Sequence, residues 1–395
     1  MWLPVFGALS FAIWIYLVFF RGDFWRADQK LPRTPRELAI WPEVVAIVPA
    51  RNEAAVIDTA VQSLLNQDYP GRFSVILIDD ESEDATADRA RATAEALGKG
   101  HMLLVARGGP LPEGWAGKVW AMEQGRREAD RFAPDARFLL FTDADIAHAP
   151  GNLKALVAKA EGEAFDLVSL MVRLRAERFW ERLMLPAFVF FFQMLYPFPW
   201  VNDPMKPTAA AAGGCMLARR AAVERIGGLA AIQNELIDDC ALARRIKEGG
   251  PVWLGLTETT TSLRAYDGLN GIWNMVARTA YTELRYSPPR LAGTLIGMTL
   301  TYLTPPVLVL AHALHESGAA LAFGFAAWAL MMASYRPSLK LYGTAPWVAL
   351  FLPVVALLYC AMTLDSARRH WQKAGGAWKG RPHTRTVSEE GMEEP

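Results

Sequence analysis

Val44-Val45-Ala46-Ile47-Val48-Pro49, followed at once by Ala50-Arg51-Asn52-Glu53, is an apolar run that stops on polar and charged residues. Ser74-Val75-Ile76-Leu77-Ile78 repeats the pattern and stops on Asp79-Asp80-Glu81, and Phe138-Leu139-Leu140-Phe141 stops on Thr142-Asp143-Ala144-Asp145. Helix-like stretches fill the gaps at 54–66 and 84–97. A strand without polar alternation has no face for water, so both faces need a cover, and alternation with helices supplies it as a mostly parallel sheet. The expected fold class is therefore α/β. Ligands of such sheets bind beyond the carboxyl ends of the strands, which is where each of these polar clusters begins.

The chain has 395 residues, more than one hydrophobic core usually organises. Hydrophobic residues make up 52% and charged residues 21%, so polar and apolar parts are segregated along it. The 41 basic and 41 acidic residues cancel, which leaves no overall basic field for a nucleic-acid partner. Cys215, Cys240 and Cys360 have neither a CxxC nor a zinc spacing, and an odd, unpatterned set fits a reducing compartment.

Leu3 to Phe20 is almost wholly apolar and Arg21, Arg26, Lys30, Arg33 and Arg36 follow it. Roughly 20 apolar residues cross a bilayer as a helix. Basic residues behind the run put the chain that follows on the cytoplasmic side, and without a small-residue cleavage site a signal peptide is the weaker alternative. Residues 1–22 are thus expected to be a transmembrane anchor and 40–290 the folded domain. Within that domain, 179–200 is dense in aromatics and broken by Pro186, Pro197 and Pro199. A span there would split the domain across the membrane, so an interfacial helix is expected. Apolar runs at 291–314, 318–335 and 346–364 make 291–364 a set of C-terminal membrane segments, and 365–395 is a basic, then acidic, cytoplasmic tail. Three full crossings would carry that basic tail outside, so one run is expected to be re-entrant, broken at Pro305-Pro306 or at Pro353.

Two carboxylates one residue apart on a loop leaving a strand, Asp143 and Asp145, can hold a hard divalent cation that also binds substrate phosphates. Asp79 and Asp80 can accept from a uracil N–H or from ribose hydroxyls; helix capping by Ser82 or Asp84 is the plain alternative. Pro49, Arg51 and Glu53 lead into a helix start where a nucleotide can rest. Lys118, in Gly117-Lys118-Val119-Trp120-Ala121, can meet a diphosphate, with an ordinary surface lysine as the alternative. His148 is expected to be a solvated loop residue, with metal ligation the sharper option. Trp253 and Trp273 are expected to pack in the core.

These four elements, in this order, resemble the inverting family 2 glycosyltransferases with the nucleotide-diphospho-sugar (GT-A) fold. Gly213-Gly214-Cys215-Met216 is similar to the family's glycine-containing acceptor loop, and Ile237-Asp238-Asp239 to its Glu-Asp pair, whose second acid is the catalytic base. The chain most resembles the hopene-associated subgroup, through Phe188-Val189-Phe190-Phe191-Phe192-Gln193-Met194-Leu195-Tyr196-Pro197-Phe198-Pro199-Trp200-Val201-Asn202-Asp203-Pro204 and Met275-Val276-Ala277-Arg278-Thr279-Ala280-Tyr281. Processive members carry Gln-x-x-Arg-Trp where this chain has Met275-Val276-Ala277-Arg278-Thr279. Arg278 remains to pair with the leaving diphosphate, but the missing glutamine and tryptophan argue against polymerisation. The family's asparagine after the Gly-Lys motif is Glu123 here.

The resemblance implies a nucleotide-diphospho-sugar donor, UDP-linked, bound by Pro49, Arg51, Glu53, Asp79, Asp80, Lys118, Asp143 and Arg278. It implies Mn²⁺ or Mg²⁺ on Asp143 and Asp145, an acceptor at Gly213, Gly214 and Cys215, and Asp239 as base with Asp238 beside it. A domain flanked by membrane segments is held at headgroup level, so the bilayer is a partner and the expected acceptor is a membrane lipid. The expected location is the bacterial cytoplasmic membrane, with the catalytic domain inside. The alternatives are transfer to polyprenyl phosphate, and a non-catalytic nucleotide-sugar-binding or lipid-trafficking membrane protein.

Overall fold

The computed structural model describes residues 2–372 and the strand pairs Ala377–Trp378 and Arg381–Pro382. Most of the expected basic-then-acidic tail lies outside the described residues. The chain divides into two compact units: one holds 34–169 and 211–250, the other 1–33, 170–210 and 251–375. The stretch 40–290, expected as one domain, therefore contributes to both.

Eight strands run in chain order: β1 Val44–Ala50, β2 Phe73–Asp79, β3 Leu103–Arg107, β4 Phe138–Phe141, β5 Ile146–Ala147, β6 Leu167–Arg173, β7 Met216–Arg219 and β8 Val252–Ser262. In the first unit the sheet order is β3-β2-β1-β4-β7-β6. β1 pairs in parallel with β2 and β4, and β2 with β3. β7 runs antiparallel to both β4 and β6. Every residue of β1 is buried, as an uninterrupted apolar strand requires.

Register explains why the polar clusters meet. Ala50 lies opposite Asp79, and Ile47 opposite both Ile76 and Phe141, so the loops after β1, β2 and β4 leave one edge of the sheet together. The helix Gly117–Phe132 covers the sheet with Val119, Ala121, Met122, Gly125 and Ala129. Gly125 is required by close approach, since a Cβ there would stand 2.4 Å from Ile47 Cγ2.

The second unit is largely helical. Leu3–Phe20, Pro288–Leu310, Gly318–Leu341 and Pro346–Trp371 are long and apolar enough to cross a membrane. Each leaves large apolar side chains exposed as well as burying others. Leu3–Phe20 buries Gly7, Ser10, Trp14 and Val18 and exposes Leu3, Val5, Phe6, Leu9, Phe19 and Phe20. Gly318–Leu341 buries Ser334 and Ser338 and exposes Phe325. Small residues let these helices approach: a Cβ on Gly7 would meet Leu308 and Phe323 at 3.1 Å, and one on Gly324 would meet Leu308 at 2.9 Å.

Neither proline site makes the expected hairpin. The helix passes Pro305-Pro306 through a π-turn, Thr299–Leu303. Pro305 has no N–H for the carbonyl of Thr301, and the buried indole N–H of Trp14 donates to that carbonyl instead, at 2.8 Å. Pro353 sits in the first turn of Leu352–Trp371, where a missing N–H costs nothing.

The aromatic stretch forms the helix Phe179–Leu195 and a short helix Phe198–Asn202. Phe190, Phe191 and Phe198 are buried in the unit, Phe188, Phe192, Tyr196 and Trp200 are partly buried, and Phe179 is exposed. Phe190 meets Tyr335 edge-on with centroids 5.2 Å apart, and Phe191 meets Tyr302 and Tyr359 at 5.5 and 5.0 Å. At the end of the first helix, Arg21 donates to the carbonyl of Met194 at 3.2 Å and stacks over Trp200 at 5.0 Å. Trp253 is buried and Trp273 is partly buried against the hydrophobic core, as expected; the Trp273 indole N–H also donates to Asp365 at 2.8 Å.

Candidate active site

The loops after β1 and β2 are interlocked. Asn52 and Glu81 both adopt left-handed backbone, at φ 53° and 54°, which turns each chain sharply away from its strand. Asn52 N–H donates to Ser82 Oγ and Glu83 N–H to Asn52 Oδ1, at 3.0 and 2.8 Å. Glu53 N–H donates to Thr86 Oγ1 and Ala54 N–H to Asp84 Oδ2, at 2.8 and 3.0 Å. Asp84 also accepts from Thr86 N–H at the start of its own helix. The capping reading of this segment is thus only part of its role, because the same side chains fix the neighbouring loop.

Arg51 reaches across to the carbonyl oxygens of Asp80 and Glu81, at 2.5 and 3.1 Å. Asp80 is fully buried, and Asp79 accepts from Ser82 N–H at 3.3 Å. Pro49 is inside β1 and buried, so of the first motif it is Arg51, Asn52 and Glu53 that reach the surface of the edge.

A second cluster gathers residues from four distant parts of the sequence. Lys118, in the first turn of Gly117–Phe132, forms ion pairs with Asp143 Oδ1 at 2.9 Å and Asp238 Oδ2 at 3.1 Å. Asp238 and Asp239 open the helix Asp238–Lys247, where the positive end of the helix dipole favours acids. Asp239 accepts from Cys240 N–H at 2.7 Å and from Gly213 N–H at 2.8 Å. Gly213 leaves room for both partners: a Cβ there would lie 3.0 Å from Lys118 Nζ and 3.4 Å from Asp239 Oδ2.

The electrostatics follow from this crowding. Burial works against the Lys118 ammonium, but Asp143, Asp238 and Asp239 outweigh it and hold the charge well above the ordinary lysine range. Burial and the charge of Asp238 push the Asp239 carboxyl up to about 6, against the opposing pull of Lys118 and the two backbone N–H groups.

Asp145 is buried, while Asp143 keeps about a third of its side chain exposed. Among the described residues no three His, Cys, Asp or Glu side chains gather as a ready-made metal cage. Two carboxylates suit Mg²⁺ or Mn²⁺ of the kind that takes its other ligands from water and phosphates, so this donor set fits such an ion.

Two expectations change, those on Cys215 and His148. Cys215, expected to touch an acceptor, is fully buried, with its sulfur 3.8 Å from the Asn152 amide nitrogen. Glu123, at the family's asparagine position, is buried against Arg126 and Arg127, both at 2.9 Å, and faces the turn at Leu229. His148 is neither solvated nor open to a metal, being buried with both ring nitrogens engaged, by Thr142 and Asn152. Its desolvation lowers the imidazole pKa to about 4. Arg278 belongs to the other unit, exposed on the helix Gly268–Glu283. Cys215, Cys240 and Cys360 form no disulfide.

Comparison with known proteins agrees with this geometry. Residues 45–227 match the family model described as Glycosyl transferase family 2. The probable glycosyltransferase YdaM of Bacillus subtilis (strain 168) is 25% identical over 126 residues, which are 30% of this chain and 29% of that protein. The match therefore spans under a third of that relative's length. Among solved structures, the mannosyltransferase PcManGT from Pyrobaculum calidifontis, in complex with GDP-Man and Mn²⁺, is similar with a TM-score of 0.54 and 19% identity. The likeness covers 93% of this chain and 99% of that one. With the mostly parallel sheet and the clusters at its carboxyl edge, these findings give a GT-A-like α/β fold in which residues 45–227 match a glycosyl transferase family 2 domain.

Proposed function

We propose that this protein is a membrane-bound, inverting glycosyltransferase that moves a sugar from a nucleotide-diphospho-sugar to the hydroxyl of a membrane lipid. The observation that carries the reading is the convergence on Lys118 of three acids from two distant parts of the sequence, Asp143 and the adjacent pair Asp238 and Asp239. Structural packing gives no reason to crowd three carboxylates round one ammonium at the ligand edge of a sheet.

In this reading Asp79, Asp80 and Arg51 hold the nucleoside end of the donor, and Lys118 meets the diphosphate. Asp143 and Asp145 hold Mn²⁺ or Mg²⁺, which when bound neutralises charge on the leaving diphosphate. Asp239 takes the proton of the acceptor hydroxyl as that oxygen attacks the anomeric carbon. Its two backbone N–H donors fix the carboxylate, and Gly213 and Gly214 line the approach of the acceptor. One displacement inverts the anomeric configuration without a covalent intermediate.

The lipid acceptor is supported by the second unit, whose candidate spans leave leucines and phenylalanines such as Leu3, Phe6, Leu9, Phe19, Phe20 and Phe325 exposed. The resemblance makes a hopanoid-type polycyclic lipid the first candidate. Basic residues after Phe20 support a catalytic domain on the cytoplasmic side of a bacterial membrane. GDP-mannose and Mn²⁺ in the P. calidifontis structure support a sugar nucleotide and a divalent cation as ligands here, with UDP-linked donors tested beside GDP-linked ones.

The test is transfer. Detergent-solubilised protein with Mn²⁺ is given radiolabelled UDP-glucose, UDP-N-acetylglucosamine or GDP-mannose, each with a total bacterial lipid extract. Label entering the organic phase is the expected result. A protein that binds a sugar nucleotide yet labels no lipid would favour the non-catalytic reading.

A further inference from the structure

Thr142 is the last residue before the Asp143-Ala144-Asp145 motif, and its hydroxyl is buried. It has one proton, and that proton goes to the carbonyl of Gly214, 2.8 Å away on the loop that carries Gly213. The same oxygen lies 2.9 Å from His148 Nε2. With its proton already committed, the hydroxyl can only accept there, so Nε2 carries the imidazole proton. Nδ1 is then a bare acceptor, matching the Asn152 amide N–H 3.0 Å from it.

The ring is thus neutral, of fixed tautomer and used on both sides. Its own loop is held by Ser63, which accepts from His148 N–H at 3.0 Å, and by Gln67, which donates to the carbonyl of Ala149 at 2.9 Å. The acceptor loop is anchored from its other side. Ser169 Oγ lies 3.2 and 3.0 Å from the carbonyls of Ala212 and Cys215, which share its one proton, and accepts from Ala212 N–H at 2.9 Å. Gly213, between these anchors, donates to Asp239.

We propose that Thr142 and His148 are positioning residues that tie the Asp143–Asp145 loop to the loop orienting Asp239, so that the donor side and the acceptor base are set by one buried chain of hydrogen bonds. The inference rests on the proposed transferase reading. Neither residue touches a substrate in it. His148 fixes which way the Thr142 hydroxyl points, and that hydroxyl fixes Gly214. The Gly213 N–H beside it then stays on Asp239.

Substitutions separate this role from simple packing. Thr142→Val keeps the shape and loses the hydroxyl; Thr142→Ser keeps the hydroxyl. His148→Gln sets an amide N–H where Nε2–H stood, whereas His148→Asn reaches only as far as Nδ1. Initial rates are measured with Mn²⁺ and a total lipid extract, titrating UDP-glucose, UDP-N-acetylglucosamine and GDP-mannose in turn, from pH 4.5 to 8.5.

Thr142→Val and His148→Asn should lower kcat by at least tenfold with donor KM within about twofold, as expected when only geometry is lost. They should also move the acid limb of the profile upward, because Asp239 loses an N–H donor while Asp238, Lys118 and the Cys240 N–H still face it. Thr142→Ser and His148→Gln should retain most of the rate and an unshifted limb. Lower rates with no movement of the limb would reduce the chain to packing and overturn the proposal, as would full activity of Thr142→Val and His148→Asn.

Should those two fail to fold, ¹⁵N-histidine spectra of the wild type decide, with His148 assigned through His148→Gln. A ring that carries its proton on Nδ1, or that titrates near neutral pH, overturns the proposal; a neutral Nε2–H ring that does not titrate down to pH 4.5 supports it. Absence of any transfer by the wild type would instead strike at the transferase reading, and the spectra would still test the hydrogen-bond chain.

Discussion

Replacing Asp239 with asparagine, and following the wild-type rate against pH, tests the base directly. Burial and Asp238 raise this carboxyl to about 6, and a general base works only when ionised. The sign follows: protonation on the acid side removes activity, so the rate climbs as pH rises and levels off above about 7. At pH 5 a group of pKa about 6 is ionised to about one part in ten, so the rate should be about a tenth of the plateau. A carboxyl at its ordinary value of 3.8 would keep about nine-tenths at the same pH, so the ratio of rates at pH 5 and pH 8 distinguishes the two. Asp239→Asn keeps the size of the side chain but cannot accept a proton near neutrality. Transfer should fall ~10²–10⁴-fold, while calorimetric binding of the sugar nucleotide with Mn²⁺ stays within a few-fold of wild type. Glycolipid formation is assayed by organic-phase label under saturating donor. A flat profile between pH 5 and 8, or normal turnover by the asparagine variant, would refute the assignment and turn attention to Asp238.

Activity should require Mn²⁺ or Mg²⁺, and Asp145→Ala should abolish both turnover and the response to added cation; full activity in excess chelator would refute the metal assignment. Gly213→Ala should fold normally, since its backbone is not left-handed, yet lose about tenfold in rate, because the new Cβ stands 3.0 Å from Lys118 Nζ and displaces the Lys118–Asp239 geometry. An alanine variant as fast as wild type would mean that this spacing does not matter to the reaction. Reporter fusions near Arg36 and Arg290 should both give cytoplasmic signals, and a periplasmic signal at either would overturn the proposed orientation.

Much of the sheet was legible because β1, β2 and β4 are buried on both faces and so carry uninterrupted apolar runs. β3 is the outermost strand and half-exposed, so its mixed residues, Leu103 to Arg107, give no such run. β8 hides for another reason: its Thr257, Thr259, Thr260 and Thr261 are polar in composition, and burial of Thr257 and Thr260 is set by the fold. In the site, the acids were visible as motifs, but their common partner was not. Nothing near Lys118 in sequence indicates that Asp143 and Asp238 will flank it. His148 was the least legible residue, because its role depends on Thr142 spending its single proton on a glycine 72 positions away. The composition of the aromatic helix does not decide its surroundings, since rings suited to headgroups are equally suited to the edge-on packing that Phe190 and Phe191 adopt inside the helical unit.

In the proposed mechanism one physical feature links the base to the cation. Three carboxylates face one ammonium round Lys118, so the cluster carries more negative charge than its own lysine can neutralise. That surplus is part of what raises Asp239, through the charge of Asp238, toward the range in which a carboxylate is a useful proton acceptor. It also makes the exposed side of Asp143, with Asp145 two residues on, a favourable place for a divalent ion carrying phosphates. Had the cluster been neutral, with a second lysine or arginine beside Lys118, the base would be weaker and the ion less welcome. A single lysine set among acids is therefore the arrangement that serves both needs, and Gly213, which has no side chain to intrude between Lys118 and Asp239, is what lets it form.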